Sequence, residues 1–337
     1  MSSTLENLSQ FKNHWIIGNF EPSLLKADFE VMVRNDKKHD VFQRHFHKQV
    51  TEYNVVISGK YKVEDTIYGS GDIFVIPPYQ SSKCECMIGG TMLCVKDKSV
   101  PKDKFMGSVL NIAIPMGGRS SRFFNVPKPW IPVNNKTMIE NVIDNLRPKH
   151  EHRFIFLCLE EHRNIFEPLL SKYGHIIWIK DRVDGAAEAI VLAKHIKKNN
   201  DPLLISDCDQ LIEMDLNKFY ENLFTSTLDA SVLTVETDDP ACSFVKVKDG
   251  LVTESAEKKV ISNISPCGKH LFKKGKYFVE AAERMIRKND RTNGDFYISP
   301  IYNHTKRKVG IYPAEGWWDI GTPEHLKRYL DHKTTNI

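Results

Sequence analysis

Residues 109–129, VLNIAIPMGGRSSRFFNVPKP, decide how the larger part of the chain is read. The apolar run through Ile112-Ala113-Ile114 reads as a buried strand, and Gly117-Gly118 breaks it. Adjacent glycines permit a tight turn whose backbone N–H groups converge on an anion. Arg119 and Arg122 add guanidinium forks suited to the oxygens of a triphosphate, and Lys128, between Pro127 and Pro129, adds a point charge. A lone Gly-Gly-x-x-x-Arg also describes an ordinary solvated glycine turn, so its weight depends on what surrounds it.

Downstream, strand-like and helix-like segments alternate. RFIFLCL precedes EEHRNIFEPLLSKYG, and HIIWIK precedes GAAEAIVLAKHIKK. In YFVEAAERMIRKN, Phe278, Ala281, Ala282, Met285 and Ile286 fall on one helix face. Such alternation implies a mostly parallel sheet covered on both sides, with ligands beyond the carboxyl ends of its strands. Upstream the texture differs. FEVMVR, YNVVIS, KYKVE, DIFVIPP and TMLCVK are short, β-branched or aromatic, and separated by turn residues. The charged, proline-containing KDKSVPKDK (96–104) is the linker candidate, giving expected domains 1–104, all-β, and 105–337, α/β.

The 337 residues suffice for two cores. A net charge of +4, spread along the chain, argues against a nucleic-acid surface but permits a local phosphate pocket. No apolar run approaches the ~20 residues that span a bilayer, so no membrane insertion is expected. The N-terminus lacks a basic region followed by an apolar one, so no secretory leader is expected either. Seven scattered cysteines, an odd number, read as reduced thiols of a cytoplasmic protein.

Five further segments carry chemistry. Asp184-Gly185-Ala186-Ala187 opens a helix, whose N-terminus favours anions. In LLISDCDQ, Asp207 and Asp209 are two apart, which on an extended chain turns both to one side. Two such carboxylates repel unless a cation lies between them, and a hard divalent ion is the natural occupant. Ala256-Glu257-Lys258-Lys259 precedes a loop, and Asn293-Gly294-Asp295 reads as a turn. In Trp317-Trp318-Asp319-Ile320-Gly321-Thr322-Pro323-Glu324, Thr322 and Pro323 read as the N-cap and first residue of a helix.

Taken in order, these segments resemble the sugar-phosphate nucleotidyltransferases, a Rossmann-like fold related to that of the GT-A glycosyltransferases, over Pro115 to Glu324. The resemblance implies that Gly117, Gly118, Arg119, Ser120 and Ser121 wrap the NTP phosphates and that Gly185 lies against the base. It gives Arg122 the β/γ end of the triphosphate and Lys128 the α-phosphate. Asp209 and Asp319 would hold Mg²⁺, with Asp207 ranked second, and Glu257, Lys258, Gly268 and Asp295 would meet the acceptor. Ser120 stands where the family has a second glycine, and the run from Phe123 to Pro127 is shorter than usual. The implied reaction moves NMP from an NTP to a sugar 1-phosphate or similar phosphorylated small molecule, releasing pyrophosphate, as in capsule and surface-polysaccharide synthesis. A GT-A glycosyltransferase, with Asp207-x-Asp209 as its metal motif, would not need the phosphate loop. A non-catalytic sugar or nucleotide sensor would not need Arg122, Lys128, Asp209 and Asp319 together.

In the first domain, His45-Phe46-His47, then Glu52, then Gly59 has the spacing for two imidazoles and a carboxylate on one metal. It resembles the first cupin motif, which implies a jelly-roll barrel and a transition metal such as zinc, iron, manganese or nickel on His45, His47 and Glu52. Gly71-Asp72-Ile73-Phe74-Val75-Ile76-Pro77 resembles the start of the second motif. There Tyr79 replaces the family's glycine and Ser82 its fourth ligand, a histidine. An isomerase or epimerase, a sugar-sensing module and a homo-oligomerisation domain stay open for this half.

Overall fold

Period-two burial builds the first unit. In Glu52–Ser58 the residues turned inward are Glu52, Asn54 and Val56, and in Ile73–Ile76 they are Phe74 and Ile76. The computed structural model describes residues 7–118, 123, 126–193, 196 and 200–335. It divides into two units, Met1–Val109 and Leu110–Ile337.

The first unit holds two five-stranded antiparallel sheets. One runs in the spatial order Trp15–Ile17, Glu30–Asp36, Gly90–Lys96, Glu52–Ser58, Ile73–Ile76. The other runs Phe105–Met106, Val41–Phe46, Ser82–Cys86, Lys60–Val63, Thr66–Gly69. Val56, Phe74, Ile76 and Met92 of the first sheet share one core with Tyr61, Val63 and Cys86 of the second. The stretch expected as a linker is part of this unit. Asp103, 5% exposed, accepts the backbone N–H groups of Lys48, Gln49 and Val50 at 3.0–3.2 Å. Phe105–Met106, expected to lie beyond the boundary, pairs with Val41–Phe46. The division therefore falls after Val109 rather than after residue 104.

The second unit is a nine-stranded sheet with helices on both faces. Its order is Gly174–Ile179, His152–Leu159, Leu110–Pro115, Leu203–Ser206, Ile264–Phe272, Ala230–Glu236, Val309–Pro313, Leu251–Glu257, Ser243–Lys248. Central strands are apolar on both sides, so alternate residues feed different cores. Phe154, Phe156 and Cys158 join the core under Met138–Leu146, Leu216–Thr225 and Pro323–Thr335. Ile155, Leu157 and Leu159 join the core under Ala186–Leu192 and Gly275–Arg287. Thr137 and Glu140 form a capping box at Met138, and Thr322 Oγ1 accepts His325 N–H at 3.1 Å as the last helix begins.

The first four strands are parallel, but Ile264–Phe272 runs antiparallel to both its neighbours, as does Leu251–Glu257 to its own. The sheet is thus mixed: Ile264–Phe272 and the Leu251–Glu257 strand of a hairpin with Ser243–Lys248 run against the other strands, which share one direction. Among the described residues no helix is long and apolar enough to cross a membrane, and the seven cysteines are free thiols.

Candidate active site

The strand Leu203–Ser206 ends at the rim of the sheet, and there the chain bends through Asp207, Cys208 and Asp209 before Gln210–Ile212. That short strand pairs with Trp317–Asp319, setting Gln210 opposite Asp319. The bend changes what the spacing of the two aspartates means. On an extended chain both would face one side, but here each packs over a different glycine. The Asp207 carboxylate lies over Gly268, where an added Cβ would meet its Oδ2 at 2.4 Å and Gln210 Oε1 at 2.6 Å. Gly268 also has φ +68°, so glycine is required there on two counts. Asp209 lies beside Asp319. A Cβ on Gly321 would stand 2.5 Å from Asp209 Oδ2 and 2.9 Å from Asp319 Oδ1. The missing side chain at Gly321 is thus what lets two carboxylates converge on one point, an arrangement that suits a hard divalent ion completed by substrate oxygens.

Several groups set the charge of this rim. Lys128 Nζ donates to Asp209 Oδ2 at 2.6 Å. Burial works against its ammonium, but Asp209 more than offsets this and holds its pKa above the ordinary lysine value. Burial and the nearby Asp209 carboxylate push Asp207 up to about 7, against the pull of Lys269 and Lys128. Lys269 is 0% exposed, on the strand beneath, and donates to the Gln210 carbonyl at 3.2 Å. Burial lowers its pKa, opposed by Asp207. Asp319 accepts the Gly321 N–H at 2.8 Å and lies 3.2 Å from His325 Nδ1. Trp317 Nε1 donates to Gln210 Oε1 at 3.0 Å.

Two of the other expected segments meet each other. Gly185, with φ +99°, packs on the backbone of Phe296, where a Cβ would lie 2.5 Å from the carbonyl oxygen. Phe296 N–H donates to Asp184 O, and Arg291 reaches both Asp184 Oδ2 (2.6 Å) and Gly294 O (2.8 Å). Asn293 and Gly294 both have positive φ, and Thr292 and Asp295 exchange backbone hydrogen bonds across them. The Asn-Gly-Asp turn thus buttresses the Gly185 helix start. Glu257 accepts a hydrogen bond from Ser243 Oγ, and burial raises its pKa. Lys258 is exposed and has φ +53°, and its ammonium donates to the Tyr297 hydroxyl at 2.6 Å.

Arg119, Ser120, Ser121 and Arg122 lie outside the described residues. Gly117 and Gly118 lie within them. Neither has positive φ, and a Cβ on Gly118 would meet nothing within 4 Å. No atom of the described residues therefore demands glycine at Gly118.

The first unit holds a separate cluster. His45, His47 and Glu52 bring ligand atoms within 4.8 Å of one another. The His45 Nδ1–H donates to Gln43 O at 3.0 Å, which leaves the Nε2 lone pair for a ligand role. His47 Nε2 lies 3.1 Å from Glu52 Oε1, and its buried Nδ1, 3.7 Å from Asp103, has no hydrogen bond. Burial lowers the His45 pKa and thereby keeps the ring neutral. For Glu52 burial acts upward, but the His47 hydrogen bond and the nearby imidazoles bring it down to about 2. Two imidazoles and one carboxylate form a coherent donor set for a transition metal. Ser82, opposite His45 on the neighbouring strand, is buried. Tyr79 has φ +58°, the conformation that a glycine would adopt without cost.

Sequence reasoning missed Lys269, His325 and Tyr297. Lys269 left a trace, as the one charged residue within ISPCGKHLF, a run otherwise fit for a buried strand. His325 and Tyr297 gave no comparable signal.

A family model described as nucleotidyl transferase matches residues 114–335. Among solved structures, a nucleoside-diphosphate-sugar pyrophosphorylase from Vibrio cholerae RC9 aligns with TM-score 0.53 at 20% identity, covering 65% of this chain and 99% of its own. An inositol-1-phosphate CTP transferase from T. maritima aligns at 0.54 and 16%, covering 68% and 97%. A UDP-glucose pyrophosphorylase complexed with UDP-glucose aligns at 0.54 and 14%, covering 68% and 100%. At these identities the likeness is one of fold. No curated protein matches the sequence significantly.

Proposed function

The chain belongs to the nucleotidyl transferase family, and from that premise we propose that its second unit joins an NTP to a sugar 1-phosphate, or a similar phosphorylated small molecule, releasing pyrophosphate. The observation that carries this reading is the convergence of Lys128, Asp209 and Asp319 at the rim where Leu203–Ser206 ends. A lysine already hydrogen-bonded beside a carboxylate pair is placed to neutralise an α-phosphoryl group.

In this reading the acceptor phosphate oxygen attacks the α-phosphorus in line and pyrophosphate departs. Positioning and charge neutralisation supply the rate. Lys128 stabilises the α-phosphoryl in flight, and Arg122 takes the leaving pyrophosphate. Gly117 and Gly118 let the triphosphate approach the backbone, and Gly185 lies against the base. Lys258, steered by Tyr297, holds the incoming phosphate, with Glu257 on an acceptor hydroxyl and Gly268 and Asp295 at the acceptor side. Asp209 and Asp319 would hold Mg²⁺, which supplies Lewis-acid neutralisation of the phosphates when bound. An activated sugar for capsule or surface polysaccharide is the product class that fits, and a cytoplasmic setting provides the NTP. A glycosyltransferase would have no task for Lys128.

The first unit reads as a cupin-like barrel with His45, His47 and Glu52 as its metal ligands, its role in the same pathway or in self-association. The test of the transferase is a pyrophosphate-release screen of the common NTPs against sugar 1-phosphates and phosphorylated alcohols with Mg²⁺. Release with one pair supports the assignment. Silence across the grid from folded protein favours a sensor instead.

A further inference from the structure

At the rim of the second unit each candidate metal ligand already faces a nitrogen cation or imidazole. Asp209 holds Lys128 at 2.6 Å, and Asp319 holds His325 at 3.2 Å. Asp207 lies in the field of Lys269, with Glu257 as the further acidic group near it. The two lysines are not equivalent. The Lys128 side chain is 24% exposed and can swing on its stem, whereas Lys269 is sealed in. Its strand neighbours on the same face, Cys267 and Leu271, belong to the apolar core, and its ammonium is tied to the Gln210 carbonyl. An ammonium is kept in such a place only if nearby carboxylates repay its lost hydration. Nor do the three aspartates gather three oxygens within 4.8 Å of one another, as the barrel cluster does.

We propose that the two lysines mask the carboxylates of this site, so that a divalent cation enters with a triphosphate that draws Lys128 off Asp209, while Lys269 remains as the fixed counter-charge to Asp207. This rests on the reading of Asp209 and Asp319 as the metal pair. Its physical content is competition. A free cation has to break the Lys128–Asp209 ion pair and meets the repulsion of two ammonium groups. A triphosphate gives Lys128 another anion and frees the carboxylate. Metal and nucleotide then bind with positive coupling, each favouring the other by the same factor.

The sign of one measurement separates masking from simple scaffolding. Mn²⁺ binding is followed by the loss of the free-ion electron paramagnetic resonance signal. The full chain carries His45→Ala and His47→Ala, so that the barrel takes no ion. Masking makes Lys128→Met tighten Mn²⁺ binding about tenfold or more, with Lys269→Met moving it the same way. If the lysines only brace the turn, their loss lets the carboxylates splay, and binding weakens or stays unchanged; either result overturns the proposal. The Lys128 side chain reaches solvent, at 24% exposure, so its variant decides the question even if Lys269→Met fails to fold. Adding Asp209→Asn to Lys128→Met should abolish the gain. A gain that survives it places the ion elsewhere and removes the metal assignment itself, a failure distinct from that of masking.

Discussion

The two charged clusters solve opposite electrostatic problems. In the first unit two imidazoles, His45 and His47, stand with the single carboxylate of Glu52, which is held down to about 2. The two imidazoles lower the pKa of that one carboxylate more than the nearby Lys96 does. At the rim of the second unit three aspartates stand together, and Asp207 is pushed up to about 7 even with Lys269 and Lys128 nearby. Carboxylates that dense need built-in cations. Ligand type alone therefore separates a cluster suited to a resident transition metal from one suited to a hard ion that arrives with phosphate.

The sharpest break between the clusters is expected in turnover. Lys128→Ala or Asp209→Ala should lower kcat by about 10³-fold or more, read as pyrophosphate release, with the fold intact by circular dichroism. His45→Ala should leave that rate within about twofold. A large loss from His45→Ala would show that the two sites share chemistry.

Acid offers the next contrast, because the two carboxylates have opposite signs. The Glu52 pKa is lowered from 4.5 to about 2 in the fold. Its contribution to stability is present above pH 4.5 and is lost as pH falls toward 2, at most about 3 kcal/mol. The Asp207 pKa is raised from 3.8 to about 7, so its contribution is present below pH 3.8 and lost as pH rises through 7. Hydrogen exchange should therefore find amides of Glu52–Ser58 losing protection between pH 4.5 and 2, and Glu52→Gln should flatten that dependence. Equal loss in Glu52→Gln would assign the acid sensitivity to other groups.

Smaller still is the effect of filling the space between Asp209 and Asp319. Gly321→Ala puts a Cβ at 2.5 and 2.9 Å from their oxygens, and one of them has to move. We expect kcat to fall about 10- to 100-fold with little change in melting temperature. Gly118→Ala is the partner experiment. No described residue lies within 4 Å of its new Cβ, so we expect a loss of activity there to measure the approach of substrate.

These contrasts also show what the sequence made legible. Central strands such as Leu110–Pro115 and His152–Leu159 could be read directly, because burial on both faces leaves continuous apolar runs. The hairpin Ser243–Lys248 with Leu251–Glu257 was harder, since lysines and glutamates cover its exposed face and mask the period. Asp209 was legible from the Asp-Cys-Asp-Gln spacing and Asp319 from its Trp-Asp-Ile-Gly-Thr segment, but their convergence depends on a bend at 207–209 and on pairing across more than a hundred residues. Periodicity carries no such long-range information. Lys269 was overlooked for a related reason: a lysine is read as surface unless its counter-ions are known, and Asp207 reaches it only in the folded chain. The stretch 96–104 looked like a linker because the backbone N–H groups that Asp103 binds are remote in sequence.

The smallest expected effect concerns Lys258, a solvent-facing cation of the second site. Lys258 is exposed, and its ammonium rests on the Tyr297 hydroxyl at 2.6 Å, over the ring at 4.6 Å. It has no part in the rim's internal neutralisation, so its removal should not touch the chemical step. An exposed, screened contact to a phosphate contributes about 1 kcal/mol to binding, equally in the ground and transition states. Lys258→Ala is therefore expected to raise KM for the phosphorylated acceptor about 5- to 10-fold, with kcat and KM for the NTP within about twofold. Tyr297→Phe, which keeps the ring and removes the hydroxyl, should move the same KM by less, within about threefold. Added salt should shrink both effects, while the loss from Lys128→Ala persists. A fall in kcat for Lys258→Ala would place this lysine with the enclosed cations and erase the distinction between a solvent-facing binding charge and a buried catalytic one.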